Sequence, residues 1–252
     1  MICQNTDTFA FLNHSYKLLS VFLLQRLIDE IEDNLPPNQF GFRRKRGTRD
    51  AIFLLSTFID EQLEAGNDAF IAFIDFTAAF DSVSHKFLDE SLAKMGASVQ
   101  SRALFRTIYD NAKGQIRVRN KDGSTTFSQS FVIKRGVVQG DIFSPYGFII
   151  ALAVLIAEYD QLDVTTDGQL HCLDKVHCYI NSILYADDSA MISCDLNSLS
   201  DRLTKFEREC ANKADMIISR PKTEGMRNQK TIKIPSTTDD EYKTFATKGI
   251  YT

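Results

Sequence analysis

Leu19, Phe22, Leu23, Leu27 and Ile31 recur at helical spacing, which predicts an amphipathic helix over residues 16–34 that Leu35-Pro36-Pro37 brings to a stop. Ile52, Leu55 and Ile59 share one face of a second helix over 48–64, closed by Gly66-Asn67. Phe70-Ile71-Ala72-Phe73-Ile74-Asp75-Phe76 has no such period; its apolar residues are continuous, and it reads as a buried strand. Helices are expected over 84–94, with Ser84 at the N-cap and Gly96 at the end, and over 99–111. Residues 115–119 and 126–133 flank Lys121-Asp122-Gly123, a hairpin signal. Two glycines in Arg135-Gly136-Val137-Val138-Gln139-Gly140-Asp141 then precede a long apolar helix opening near Ser144-Pro145, where proline suits the first turn. Strand-like runs at 176–185 and 189–193 bracket an acidic turn, followed by a helix over 196–214, a short strand at 216–219 and, from Lys230, a polar tail.

The acidic turn, Tyr185-Ala186-Asp187-Asp188, carries the chemistry. Two adjacent carboxylates in an apolar hairpin repel each other and lose hydration, and are best tolerated with a cation between them and a third ligand. Asp75, the single acid of the other apolar run, is such a ligand. Three acids on two core strands point to a two-metal site for phosphoryl chemistry, Asp75 and Asp187 holding two Mg²⁺ about 3.5–4 Å apart, with Mn²⁺ as an alternative ion. Carboxylate-only ligands select hard cations. Asp187 is preferred over Asp188, because only one of an adjacent pair on a strand points the same way as Asp75. Asp81 reads instead as a cap or turn residue, since Ser82 and Ser84 open a helix.

Composition narrows the class. With 252 residues, 44% of them hydrophobic, the chain can bury a sizeable core. The first residues lack a charged-then-apolar signal, and the longest apolar run, 147–157, is about half of the ~20 residues a membrane helix needs. A soluble, intracellular protein with no membrane partner is expected. Five scattered cysteines argue for reduced thiols. A net charge of −4 does not favour nucleic acid, but Arg43, Arg44, Lys45, Arg46 and Arg49 form one dense basic block, and Lys113, Arg117, Arg119 and Lys121 a second. A basic run is more often a solvated face than a binding site. His171-Cys172 and His177-Cys178 raise zinc as a rival chemistry, although their spacing departs from common zinc patterns and the alternation of Val176, Cys178 and Ile180 fits a strand pairing toward the acidic hairpin.

In order, these segments resemble the reverse transcriptases of non-LTR (LINE-like) retrotransposons and, more distantly, group II intron enzymes, over nearly the whole chain. Leu12-Asn13-His14-Ser15-Tyr16-Lys17-Leu18-Leu19-Ser20 and Asn38-Gln39-Phe40-Gly41-Phe42-Arg43 are similar to the family's fingers motifs. Phe73-Ile74-Asp75-Phe76-Thr77-Ala78-Ala79-Phe80-Asp81-Ser82-Val83 resembles the first palm motif, residues 135–145 the second, Tyr185-Ala186-Asp187-Asp188 the third, and Lys222-Thr223-Glu224-Gly225-Met226 the segment that follows. The resemblance implies an α+β right-hand polymerase, with fingers over about 1–68 and part of 99–135, a palm with an antiparallel sheet backed by helices over about 69–98 and 136–235, and a degenerate primer-grip remnant at 236–252. Nothing after about Lys230 reads as a helical thumb, so the expectation is the fingers and palm of a larger polyprotein.

The resemblance also implies roles. Asp75, Phe76, Asp187 and Asp188 would form the metal site, and Lys222 would stand near the pyrophosphate leaving group. Phe80 would lie under the incoming sugar, where a ring clashes with a ribose 2′-hydroxyl. Gln139 and Gly140 would contact the nascent base pair, and Arg43, Lys45, Arg46 and Arg49 are candidate triphosphate or template contacts. RNA template, DNA primer and dNTPs are the implied partners. Two rivals stand beside RNA-directed DNA synthesis: RNA-directed RNA synthesis, disfavoured by Phe80, and a catalytically silent nucleic-acid-binding remnant.

Overall fold

The computed structural model describes residues 12–162 and 181–228, with short strand pieces at 169–171, 177–179, 230–231, 233–234 and 243–244. Helix α1 (His14–Ile31) is capped by Asn13, whose side chain accepts from Ser15 N, and it ends in a single 3₁₀ turn before the prolines. α2 (Thr48–Glu64) has the bounds its periodicity predicts; the Asp50 carboxylate accepts from Gly47 N at 2.8 Å, closing its first turn. β1 (Phe70–Ile74) and β2 (Phe76–Thr77) follow, then the one-turn helix α3 (Ala79–Ser82), α4 (His85–Lys94), N-capped by Ser84, and α5 (Val99–Tyr109). Two small antiparallel pairs, β3 (Lys113–Gly114) with β6 (Phe131–Val132) and β4 (Arg117–Arg119) with β5 (Thr125–Phe127), make the hairpin that turns at Gly123.

α6 (Ser144–Leu162) is the long apolar helix. β7 (Gln169–His171) pairs with β8 (His177–Tyr179), so β8 finds its partner there and not in the acidic hairpin that alternation suggested. Cys172 and the side chains of His171, His177 and Cys178 lie outside the described residues, as does nearly all of 236–252. β9 (Ser182–Tyr185), β10 (Asp188–Ser193), α7 (Leu196–Ala214), β11 (Ile217–Ile218), β12 (Glu224–Arg227) and β13 (Lys230–Thr231) complete the frame.

The central sheet runs β13-β12-β1-β10-β9, antiparallel throughout, with Ile74 opposite Ser189 and Ala72 opposite both Met191 and Gly225. Both of its faces are covered, which is why β1 reads as an unbroken apolar run. Phe70, Ala72, Ile74, Leu184 and Met191 face the larger core, where α6 contributes Phe148 through Ile156, all buried. Ile71, Ile183, Ala190, Ile192 and Met226 face Phe40 and the Ala51, Phe58 and Ile59 side of α2. α6 is therefore apolar all round because it is core, and no described helix is long and apolar enough to cross a membrane.

Two departures from the sequence reading shape the site. The expected strand through Asp75 breaks at that residue: β1 ends at Ile74 and β2 leaves the main sheet to pair with β11, Phe76 opposite Ile218. The end of the Lys222-Met226 segment, read only as a motif, enters the sheet as β12 beside β1, with Lys222 and Thr223 in the turn before it. The mixed, antiparallel-sheet α+β class agrees with the expected fingers and palm.

Candidate active site

Asp75 stands where β1 gives way to β2, and Ser219 N holds its carbonyl at 2.7 Å. The register of β1 on β10 carries the chain from Ile74 opposite Ser189 to Asp75 at the level of Asp188. Asp187 is an exposed residue of the β9–β10 turn and Asp188 the first residue of β10, so the two-residue turn sets both acids at the same end of the sheet as Asp75.

The electrostatics reflect that arrangement. Burial pushes the Asp188 carboxyl above its usual range, and the negative charges of Asp187 and Asp75 push it further. Asp75 Oδ2 is itself buried and has no hydrogen-bond partner; Lys222 Nζ, on a side chain 71% exposed, reaches it at 3.5 Å as an ion pair. Among the described residues no three acidic, histidine or cysteine side chains come together as a metal-holding group, so Asp75, Asp187 and Asp188 do not form the closed set of ligands that the sequence suggests. A buried, unbonded carboxylate oxygen beside a second acid that resists ionisation is nonetheless a donor set suited to a hard divalent cation. Phe76 packs its ring edge-on against Phe148 and Phe206, each at 6.4 Å, so only its main chain is available to a ligand.

Asp75, Asp188 and Lys222 line a cleft of about 470 Å³ between α2 and the sheet, whose remaining wall includes Thr48, Ile52, Phe73, Tyr185 and Met226. Phe80 does not line it. That ring is half-buried, stacked on Phe148 at 4.8 Å, so part of its role is packing. Gln139 is half-buried and Gly140 exposed with φ +92°, a left-handed conformation that favours glycine. The loop they occupy is fixed from below. Asp141 is buried, Ser20 Oγ donates to its Oδ1, and Tyr16 O–H donates to Oδ2 at 3.4 Å, tying α1 to the loop. Gly136, with φ +82°, has Asp81 backbone where a Cβ would stand, so its glycine serves close packing on α3.

The basic block divides. Arg43 is corrected from substrate contact to structural residue: its guanidinium, 5% exposed, pairs with Glu32 at 2.9 Å and donates to the carbonyls of Glu32, Pro36 and Gln39, leaving nothing for a phosphate. Arg46 donates to the Pro37 carbonyl and lies over the Phe40 ring at 5.7 Å. Lys45 and Arg49 are exposed, Arg49 in the first turn of α2 beside Thr48.

Sequence reasoning missed the neighbour of the acidic turn. Residues 38–40 add a further, parallel edge to β9: Leu184 N donates to the Asn38 carbonyl at 2.9 Å, Phe40 N to the Leu184 carbonyl at 2.8 Å, and Asn38 Nδ2 to the Ser182 carbonyl at 2.9 Å. The signal available was Gln39, a polar residue followed by Phe40-Gly41-Phe42, a spacing that suits close packing.

Comparison with known proteins follows the same lines. A family model described as reverse transcriptase (RNA-dependent DNA polymerase) matches residues 8–238. The chain is 31% identical over 140 residues to a Pol polyprotein from a type-1 R2 retrotransposable element of Popillia japonica, a match covering 56% of this chain and 19% of that protein. It is 28% identical over 176 residues to the RNA-directed DNA polymerase of the mobile element jockey of Drosophila funebris, covering 66% and 19%. The chain thus spans about a fifth of the length of these curated relatives. In fold it is similar to apo telomerase from Candida tropicalis, with TM-score 0.56 at 14% identity over 84% of this chain and 36% of that one. Telomerase from Candida albicans gives 0.55 at 15% identity over 91% and 38%.

Proposed function

This chain belongs to the reverse transcriptase (RNA-dependent DNA polymerase) family, and we propose that it is the polymerase portion of a non-LTR retrotransposon protein, extending a DNA primer on an RNA template from dNTPs. The observation that carries the reading is the acidic cluster itself: Asp75 Oδ2 buried without a hydrogen bond and 3.5 Å from the exposed Lys222, with Asp188 raised above its ordinary range by burial and then by the charges of Asp187 and Asp75.

Divalent cations are general to this family. Two Mg²⁺, or Mn²⁺ in their place, would be held by Asp75, Asp187, Asp188 and the main-chain carbonyl of Phe76, and the chemistry they supply is activation of a primer 3′-hydroxyl and neutralisation of triphosphate charge. Lys222, on the rim of the cleft, can exchange its pairing with Asp75 for the leaving pyrophosphate, which it would stabilise or protonate. Lys45, Arg46 and Arg49 lie nearest the open N-terminal end of α2 and are assigned to triphosphate or template oxygens. Gln139 and Gly140 are assigned to the nascent base pair, and the open edge of Phe80 to the sugar, where it would exclude a 2′-hydroxyl. With basic residues confined to short blocks and a net charge of −4, binding to a primer–template should weaken steeply as salt rises.

Primer extension on an RNA template with Mg²⁺ tests the reading. The chain should incorporate dNTPs, and Asp75→Asn should abolish incorporation while the protein stays folded. Extension by Asp75→Asn at the rate of the parent chain would overturn it.

A further inference from the structure

We infer that Gln39 is a positioning residue that clamps the Tyr185-Ala186-Asp187-Asp188 turn from outside the sheet and so sets the geometry of the metal-binding acids. The inference rests on the reading of that turn as a cation site. Gln39 is wholly buried, and its Oε1 accepts from two backbone N–H groups, Gly41 at 2.8 Å and Ala186 at 3.4 Å. Both partners are donors, which forces the amide to present its oxygen and leaves Nε2 buried without a hydrogen-bond partner. A polar side chain accepting a buried, unsatisfied donor is doing something other than filling space.

What it holds is a strained residue. Ala186 has φ +58°, a left-handed conformation that is costly for a non-glycine residue and persists only where its surroundings enforce it. Asp187 is the next residue, so any relaxation of Ala186 swings the carboxylate directly. The clamp also needs Gly41. A Cβ there would collide with Ala186 N and stand 3.0 Å from the Tyr185 carbonyl carbon, and both obstacles are backbone. Glutamate at 39 would keep the acceptor and remove the unsatisfied donor, but it would add another negative charge beside the acidic cluster, which accounts for the amide.

Three variants of this chain decide the matter, read by direct Mn²⁺ titration with electron paramagnetic resonance, by primer extension against Mn²⁺ concentration, and by thermal unfolding. Gln39→Met keeps the volume and removes the acceptor. It should weaken Mn²⁺ binding about tenfold, as loss of a residue that orients metal ligands does. Extension should recover in part at high Mn²⁺ and KM for dNTP should hardly move, while the unfolding midpoint should fall by a few degrees, because Gly41 N and Ala186 N lose their buried acceptor. Gly41→Ala, which leaves Gln39 in place and displaces the turn, should weaken Mn²⁺ binding to a similar degree, and it decides the question if Gln39→Met does not fold. Parent-like Mn²⁺ binding in folded Gln39→Met, or in folded Gly41→Ala where only that variant folds, would overturn the clamp. Asp187→Asn is the separate control: if it binds Mn²⁺ as the parent does, the reading of the turn as a cation site fails, whatever Gln39 does.

Discussion

Asp89, on α4, lies under two guanidinium groups from α5: Arg102 at 2.8 and 3.2 Å and Arg106 at 2.6 Å. Asp188, at the head of β10, has Asp187 and Asp75 for charged neighbours. Burial raises both carboxyls. At Asp89 the hydrogen bonds and charges of the two arginines outweigh it and hold the group below the usual carboxylate range, whereas at Asp188 the neighbours add to it and the group stays above. Glu32 likewise has an arginine partner, Arg43, at 2.9 Å. The fold supplies cations to acids that serve the scaffold and withholds them from acids gathered at the cleft, where the ion pair present is a lysine that is mostly exposed. A chain that pairs Asp89, Glu32, Glu207 and Asp68 with arginines, and sets Asp188 against the charges of Asp187 and Asp75, has the arrangement that the proposed cation site requires.

The largest expected effect would come from Asp187→Asn. Loss of a metal ligand removes several kcal/mol of transition-state stabilisation, on the order of 10³-fold in extension rate. The unfolding midpoint should hold or rise slightly, because a repulsive charge is gone. A variant that lost stability and kept its rate would place Asp187 with the scaffold acids and break the comparison.

Asp89→Asn should do the reverse. Hydrogen bonds to charged groups contribute more than neutral ones, but Arg106 is half exposed and screened, so about 1–2 kcal/mol should be lost. In a domain of this size that is a fall of about 2–8 °C in Tm, with extension unchanged.

The two carboxyls also predict opposite pH dependence. Between the ordinary Asp value and the raised value of Asp188, the folded chain binds more protons than the unfolded one, so this group's contribution to stability falls as pH rises through that window. A bound cation needs the ionised form, and Mn²⁺ affinity should therefore climb with pH from about pH 4 upward. Asp188→Asn should flatten the climb. Asp89 contributes fully above the ordinary Asp value, and its contribution is lost as pH falls through its lowered one, which acid unfolding of parent and Asp89→Asn would resolve.

The smallest effect is expected of Lys222→Ala on cation binding. An exposed ion pair is worth under about 1 kcal/mol, so freeing Asp75 should tighten Mn²⁺ binding by no more than about fivefold. Extension should slow even so, since the same lysine is assigned to the leaving group. Tighter binding with an unchanged rate would confine Lys222 to competing with the cation.

By itself the sequence determined the elements and the acids. The bounds of α2, the Ser84 cap of α4, the hairpin turn at Gly123 and the span of α7 all follow from periodicity and capping, which are written into neighbouring residues. Asp75, Asp187 and Asp188 were legible because charges in apolar runs stand out, and the order of motifs identified the family. Pairing over long separations was not legible. Only the tertiary structure broke the strand at Asp75 by sending Phe76 to Ile218, brought Glu224–Arg227 into the sheet, and set Gln39 against a turn 147 residues away. The basic block shows the limit most clearly. Arg43, Lys45 and Arg49 look alike as charges in a row, and whether a guanidinium faces a phosphate or a Glu32 carboxylate depends on which side of the chain is buried. That is decided when α1, the prolines and the sheet edge pack together, since hydrophobic period is a local property and the partner of a charge is not.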